Sequence, residues 1–141
     1  MEPMRFSYSI EGGDFTNAGS ASSNVKKMLK QLNVDPGVIK RVVVALYEAE
    51  VNIAAHAFKG NILVEIDTQK VHILLTDEGP GIENIEMAMQ MGYSTASPEV
   101  REMGFGAGMG LPNMKKNSDV LNISSKVGVG TRVEIINYFK N

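Results

Sequence analysis

Phe6, Tyr8 and Ile10 alternate with polar residues, the two-residue period of a half-buried strand, and Gly12, Gly13 and Asp14 then break it. Val25, Met28, Leu29 and Leu32 recur every three or four residues, which predicts a first helix over about residues 16–33. Asp35 before Pro36 reads as a helix start: a carboxylate accepts from free N–H groups, and proline there forfeits an N–H that has no partner anyway. This second helix carries Val38, Ile39, Val42, Val43 and Leu46 and runs to about residue 58, where Lys59 and Gly60 end it. Residues 61–67 and 70–76 read as strands joined by a short turn, 77–81 as a tight loop and 82–91 as a short helix. Residues 92–110 show no clear period. Residues 111–117 read as helical, with Pro112 acceptable only in the first turn. Residues 120–126 and 131–137 predict a closing hairpin through Gly128 and Gly130.

No repeat or linker divides the chain, so residues 1–141 read as one domain. The element order predicts an α/β (α+β) two-layer sandwich, with helices on one face of a mixed, mainly antiparallel sheet. Hydrophobic residues at 43% and charged residues at 21% are ordinary globular values. The net charge of -2 gives no electrostatic reason to expect nucleic acid or an anionic membrane as partner. The absence of cysteine excludes a disulfide scaffold and thiolate-bound metal. No apolar run approaches the roughly 18 residues of a membrane span, and the first residues lack a signal-peptide core. A cytoplasmic protein is expected.

Three segments carry candidate chemistry. Glu48 and Asn52 stand four residues apart on the second helix and share a face. An amide oxygen suits magnesium, and a carboxylate one turn away can orient or deprotonate a nucleophile; a solvated helix face gives the same spacing. Asp77-Glu78-Gly79-Pro80-Gly81 follows an apolar strand. A carboxylate there can accept from an exocyclic amine, and Gly79 and Gly81 let backbone approach a flat ring; an ordinary strand-to-helix turn is the plainer reading. Gly104, Gly106, Gly108 and Gly110 alternate before a helix and can present N–H groups to phosphates. The run contains neither a P-loop nor a dinucleotide fingerprint.

In this order the segments resemble the Bergerat-fold ATP-binding superfamily of gyrase B, histidine kinases and certain chaperones. Its pattern is a helix with Glu and Asn, then Asp-x-Gly-x-Gly, a glycine-rich lid, and Gly-Thr on a strand, here Gly130-Thr131. Within it, Glu48-Ala49-x-x-Asn52-x-x-x-His56-Ala57, Gly92-Tyr93-Ser94-Thr95-Ala96 and the run from Gly106 to Pro112 are most similar to the anti-sigma-factor and switch-protein serine kinases of bacterial partner switching.

The resemblance implies ATP and Mg2+ as cofactors. Asn52 would ligate the magnesium and Glu48 would act as base. Asp77 would read the adenine amine, with Gly79 and Gly81 beside the ring and Thr131 supporting it. Gly104, Gly106, Gly108 and Gly110, with Leu111 after them, would hold the phosphates, and Arg101 in the lid would reach a terminal phosphate. The implied activity is a protein serine/threonine kinase acting on a small anti-sigma-antagonist-like domain. A sigma factor as second partner and a homodimer are compatible with it. The alternative is a nucleotide-gated binding module, an anti-sigma factor that holds its partner without phosphoryl transfer. A catalytic ATPase subunit of a larger machine is a third reading. The only histidines, His56 and His72, fall inside a helix and a strand, unlike the phosphoacceptor of a complete histidine kinase.

Overall fold

The computed structural model describes residues 3–90 and 110–139. Strand β1 (Met4–Glu11) is followed by helices α1 (Ser20–Gln31) and α2 (Pro36–His56), then by strands β2 (Lys59–Ile66) and β3 (Lys70–Glu78). A single-turn α3 (Ile85–Ala88) and helix α4 (Gly110–Lys116) precede the hairpin of β4 (Val120–Lys126) and β5 (Gly130–Tyr138). The strands lie in the order β1-β2-β3-β5-β4. All four pairings are antiparallel, so the sheet predicted as mixed has no parallel pair among the described residues.

Alternation decides which face is covered. Ile62, Val64 and Ile66 of β2, Val71, Ile73 and Leu75 of β3, and Val133 and Ile135 of β5 are buried, while their sequence neighbours are partly or fully exposed. Helix α2 lies on this face and contacts β1, β2, β3 and β5. Val42, Ala45 and Leu46 are wholly buried at the centre of the resulting core. Helices α1 and α4 flank α2, burying Val25 and Leu29 on one side and Leu111 and Met114 on the other. The other sheet face carries polar pairs such as His72 with Glu134, 2.8 Å apart.

Several boundaries differ from the periodic reading, each for a physical reason. Helix α1 starts at Ser20 because Asp14 accepts from the backbone and side chain of Asn17, and Gly19 takes a left-handed conformation (φ 101°). Helix α2 stops at His56. Ala57 is extended, and Phe58 N–H donates to the Glu78 carbonyl, leading into β2 from Lys59. Strand β3 runs on to Glu78, so Asp77 pairs with Gly60 in the β2–β3 ladder rather than lying in a loop. The helix expected over 82–91 shrinks to one turn capped by the Asn84 side chain. As expected, the Asp35 carboxylate caps α2, accepting from Gly37 and Val38.

Candidate active site

The site grows from the last three turns of α2. Ala45, Ala49 and Ile53 bury one side of the helix, which leaves Glu48 and Asn52 half-buried along the edge facing α4. The Asn113 side chain of α4 hydrogen-bonds the Glu48 carboxylate. Burial nevertheless raises the Glu48 carboxyl above its usual range, and the bond to Asn113 offsets this only in part. Gly110 opens α4 opposite both residues. A Cβ placed on it would stand 3.1 Å from Asn52 Oδ1 and 3.5 Å from Glu48 Oε2. The absence of a side chain lets the start of α4 lie directly against the amide oxygen and the carboxylate oxygen, where a Cβ would crowd Asn52.

The second cluster forms where β3 ends. Thr131 N–H donates to Asp77 Oδ1 at 3.1 Å, and nothing among the described residues donates to the other oxygen. Burial raises the Asp77 carboxyl, opposed by that backbone bond. Ser125 ties the surroundings together: its hydroxyl accepts from Ile82 N–H at 2.7 Å, donates to the Gly130 carbonyl, and lies 2.9 Å from Thr131 Oγ1. Gly79 N–H donates to the Val129 carbonyl and Gly128 N–H to the Pro80 carbonyl, which fastens the loop to the β4–β5 turn. The glycines here are sterically required. Any side chain at Gly130 would collide with the Asp77 carbonyl oxygen, and Gly81 has φ +77°. Gly79 packs over Ala57, just past the end of α2. Five residues of helix separate Ala57 from Asn52, roughly 7 Å along the axis, so α2 links both clusters.

Glu48, Asn52 and Gly110 thus come together, as do Asp77, Gly79, Gly81 and Thr131. Leu111 is buried in the core beside α2 rather than open to a ligand, so any phosphate contact from it would be through its backbone. Gly104, Gly106, Gly108 and Arg101 lie outside the described residues. Asn113 and Ser125 escaped the sequence reading because nothing in their spacing distinguishes them from solvated residues. Glu50 escaped for a different reason. It is 1% exposed and accepts from the backbone N–H groups of Gly19, Ala21 and Ser22 at 2.8, 3.2 and 2.8 Å. It serves as the cap that Gly19, without a side chain, cannot supply. The signal was available: Glu50 continues the apolar stripe of Val42 and Leu46 at four-residue intervals, and a carboxylate on that stripe needs buried donors.

The residues fit a nucleotide with its metal. No cluster of three or more His, Cys, Asp or Glu able to hold a metal occurs among the described residues. A cation at Asn52 would therefore share its other positions among phosphate oxygens and water, the habit of magnesium. Residues 14–136 match the model of the histidine kinase-like ATPase domain. The chain belongs to this family. Among its relatives, the serine/threonine-protein kinase RsbT of Bacillus subtilis is 33% identical over 131 residues, covering 90% of each chain. An anti-sigma F factor of Anoxybacillus flavithermus is 32% identical over 128 residues, covering 86% of this chain and 84% of the relative. The fold recurs in the RsbU and RsbW domains of a Mycobacterium tuberculosis protein, at a TM-score of 0.58 and 13% identity over 100% of this chain and 34% of that one. It recurs in the SiaB–SiaC complex of Pseudomonas aeruginosa at a TM-score of 0.56 and 10% identity, covering 94% and 89%. The family and fold expected from the Glu48–Asn52, Asp77–Gly81 and Gly130–Thr131 motifs are those found. Among the described residues, no helix is long and apolar enough to cross a membrane.

Proposed function

We propose that this chain is an ATP-dependent serine/threonine protein kinase of the partner-switching type, transferring a phosphoryl group to a hydroxyl of a small anti-sigma-antagonist-like domain. The observation that carries this reading is the convergence of Gly110, at the start of α4, on Asn52 and the Asn113-bound Glu48 of α2. Bound magnesium-ATP supplies an electrophilic γ-phosphorus and a leaving group. Asn52 would hold the cation that accompanies the phosphates. Glu48 orients the partner's hydroxyl and takes its proton as the oxygen–phosphorus bond forms and the bond to ADP breaks. Asn113 fixes the carboxylate's direction, and the burial that raises its proton affinity makes it a better base near neutral pH. Asp77 accepts from the adenine amine through the oxygen that Thr131 leaves free, with Gly79 and Gly81 beside the ring. Gly104, Gly106, Gly108 and Gly110 are assigned to the phosphates, and Arg101 to the terminal one. The relatives named kinase and anti-sigma factor support a regulatory kinase with a sigma factor as a further partner; we place it in the cytoplasm, with a homodimer as its own association.

The test is phosphate transfer from labelled ATP to purified anti-sigma-antagonist-like domains. Wild type labels its partner, and the rate falls as pH drops through a value above the ordinary carboxylate range, because Glu48 must be ionised to act. Glu48→Gln keeps shape and ATP binding but slows transfer by about 10²–10⁴-fold, the usual worth of a positioned base. Transfer that survives in the variant removes Glu48 from the chemistry. Partner binding with no labelling by wild type turns the reading into a nucleotide-gated anti-sigma factor.

A further inference from the structure

The helical layer carries a second concave feature, on the outer side of α1 and α2 and away from the nucleotide residues. A cavity of about 530 Å3 opens between the C-terminal half of α1 and the N-terminal half of α2. Its floor is apolar, made by Val34, Ile39 and Val43, with Val44 at the edge. Lys26, Lys30 and Lys40 stand around it, all exposed. No acidic side chain lines it, and none of the three lysines takes part in an ion pair among the described residues. The nearest carboxylate in sequence, Asp35, is committed to the N–H groups of Gly37 and Val38. Three uncompensated cations around one cleft are a concentration of charge in a chain whose net charge is -2.

The cleft is also preformed. Val34 N–H donates to the Leu29 carbonyl and Leu32 N–H to that of Met28, so the turn between the helices is pinned, and Glu50 fixes the far end of α1. A cleft of this size falls within the ~300–1,000 Å3 typical of binding sites. It is a trough between two helices rather than a closed pocket, a shape that receives the apolar ridge of a third helix. Lys40 lies twelve residues before Asn52 on α2, roughly 18 Å along the axis, so an occupant leaves Glu48 and Asn52 clear.

We infer that the α1–α2 cleft is a docking surface for an acidic amphipathic helix of a protein partner, its apolar residues on Val34, Ile39, Val43 and Val44 and its carboxylates on Lys26, Lys30 and Lys40. This surface is separate from the hydroxyl-bearing substrate site and operates whether or not phosphoryl transfer occurs.

Nuclear magnetic resonance titration of the 15N-labelled full chain tests it. The probe is a synthetic helix with leucine at i, i+3, i+4 and i+7 and glutamate elsewhere. Its control is the same peptide with lysine in place of glutamate. The acidic peptide shifts amides of residues 26–44 and the basic one does not. Lys30→Glu with Lys40→Glu, both at exposed positions, weakens the acidic peptide by about tenfold or more, since two attractions become two repulsions. Magnesium-ATP affinity of that variant stays within about twofold, which separates this result from any failure at the nucleotide site. Equal binding of both peptides, shifts confined to other regions, unchanged affinity in the double variant, or no shift at about 1 mM peptide overturns the inference. Capture by phosphatidylserine vesicles that the double variant loses overturns it too, in favour of a membrane surface.

Discussion

Glu50→Gln is the sharpest test of how α1 is held. The carboxylate is buried, and each of its oxygens is occupied: Oε2 by Gly19 and Ala21, Oε1 by Ser22. Glutamine has one oxygen to give. Whichever way its amide turns, an NH2 group faces a backbone N–H and leaves it without an acceptor. Hydrogen bonds to a charged group contribute about 1.5–3 kcal/mol each, and an orphaned buried donor costs about 1–3 kcal/mol. Part of this is recovered when the first turn of α1 frays toward water, so a net loss of about 2–4 kcal/mol is expected, a large share of the ~5–15 kcal/mol that stabilises a domain. Urea unfolding followed by circular dichroism reads the loss as a lower midpoint, by about 1–2 M at a typical slope. Glu48→Gln is the internal control. Burial already disfavours the ionised form of Glu48, so neutralising it leaves stability unchanged or slightly higher at neutral pH. A loss below about 0.5 kcal/mol in Glu50→Gln, the level of an ordinary surface change, refutes the clamp.

Two further substitutions separate the parts of the nucleotide site. Asp77→Asn keeps an acceptor for Thr131 N–H but turns a donor toward the adenine amine, so calorimetry should show ATP bound about 10- to 150-fold more weakly with the fold intact, matching the loss of about 1.5–3 kcal/mol. Unchanged affinity would move adenine recognition elsewhere. Asn52→Ala should abolish the gain in ATP affinity on adding magnesium, so that titrations with and without chelator converge; a magnesium effect of wild-type size would take Asn52 out of the metal's coordination.

Much of this protein was legible in the chain. The two-residue alternation of β2, β3 and β5 and the Asp35–Pro36 start of α2 were read correctly because burial on one face and capping chemistry leave local marks. Glu48, Asn52 and Asp77 could be named as candidates from the chain because four-residue spacing and a strand-end carboxylate are local as well. Boundaries failed where a distant group decided them. The α1 start depends on a carboxylate 31 residues from Gly19, and the end of α2 on the Glu78 carbonyl. Asn113 and Ser125 act only through folding partners that sequence spacing does not reveal. The lysine-rimmed cleft belongs to the same class, since Lys26, Lys30 and Lys40 read in sequence as solvated helix positions.

The geometry of α2 explains why one helix carries so many roles. Successive residues turn by about 100°, so Glu48 and Asn52 are about 40° apart while Glu50 lies roughly 160° from each. Neighbours on both flanks and a sheet beneath bury nearly the whole circumference, so a periodic apolar stripe cannot mark a single core face. Charge then separates the faces. The carboxylate aimed at α1 finds three N–H donors and is structural. The one aimed at α4 finds a single side-chain amide, keeps a raised proton affinity and lies beside Gly110. Two glutamates two residues apart thus receive opposite assignments from their donors alone. A buried carboxylate with a full set of partners holds a fold together, whereas a half-satisfied one with raised proton affinity is available for chemistry.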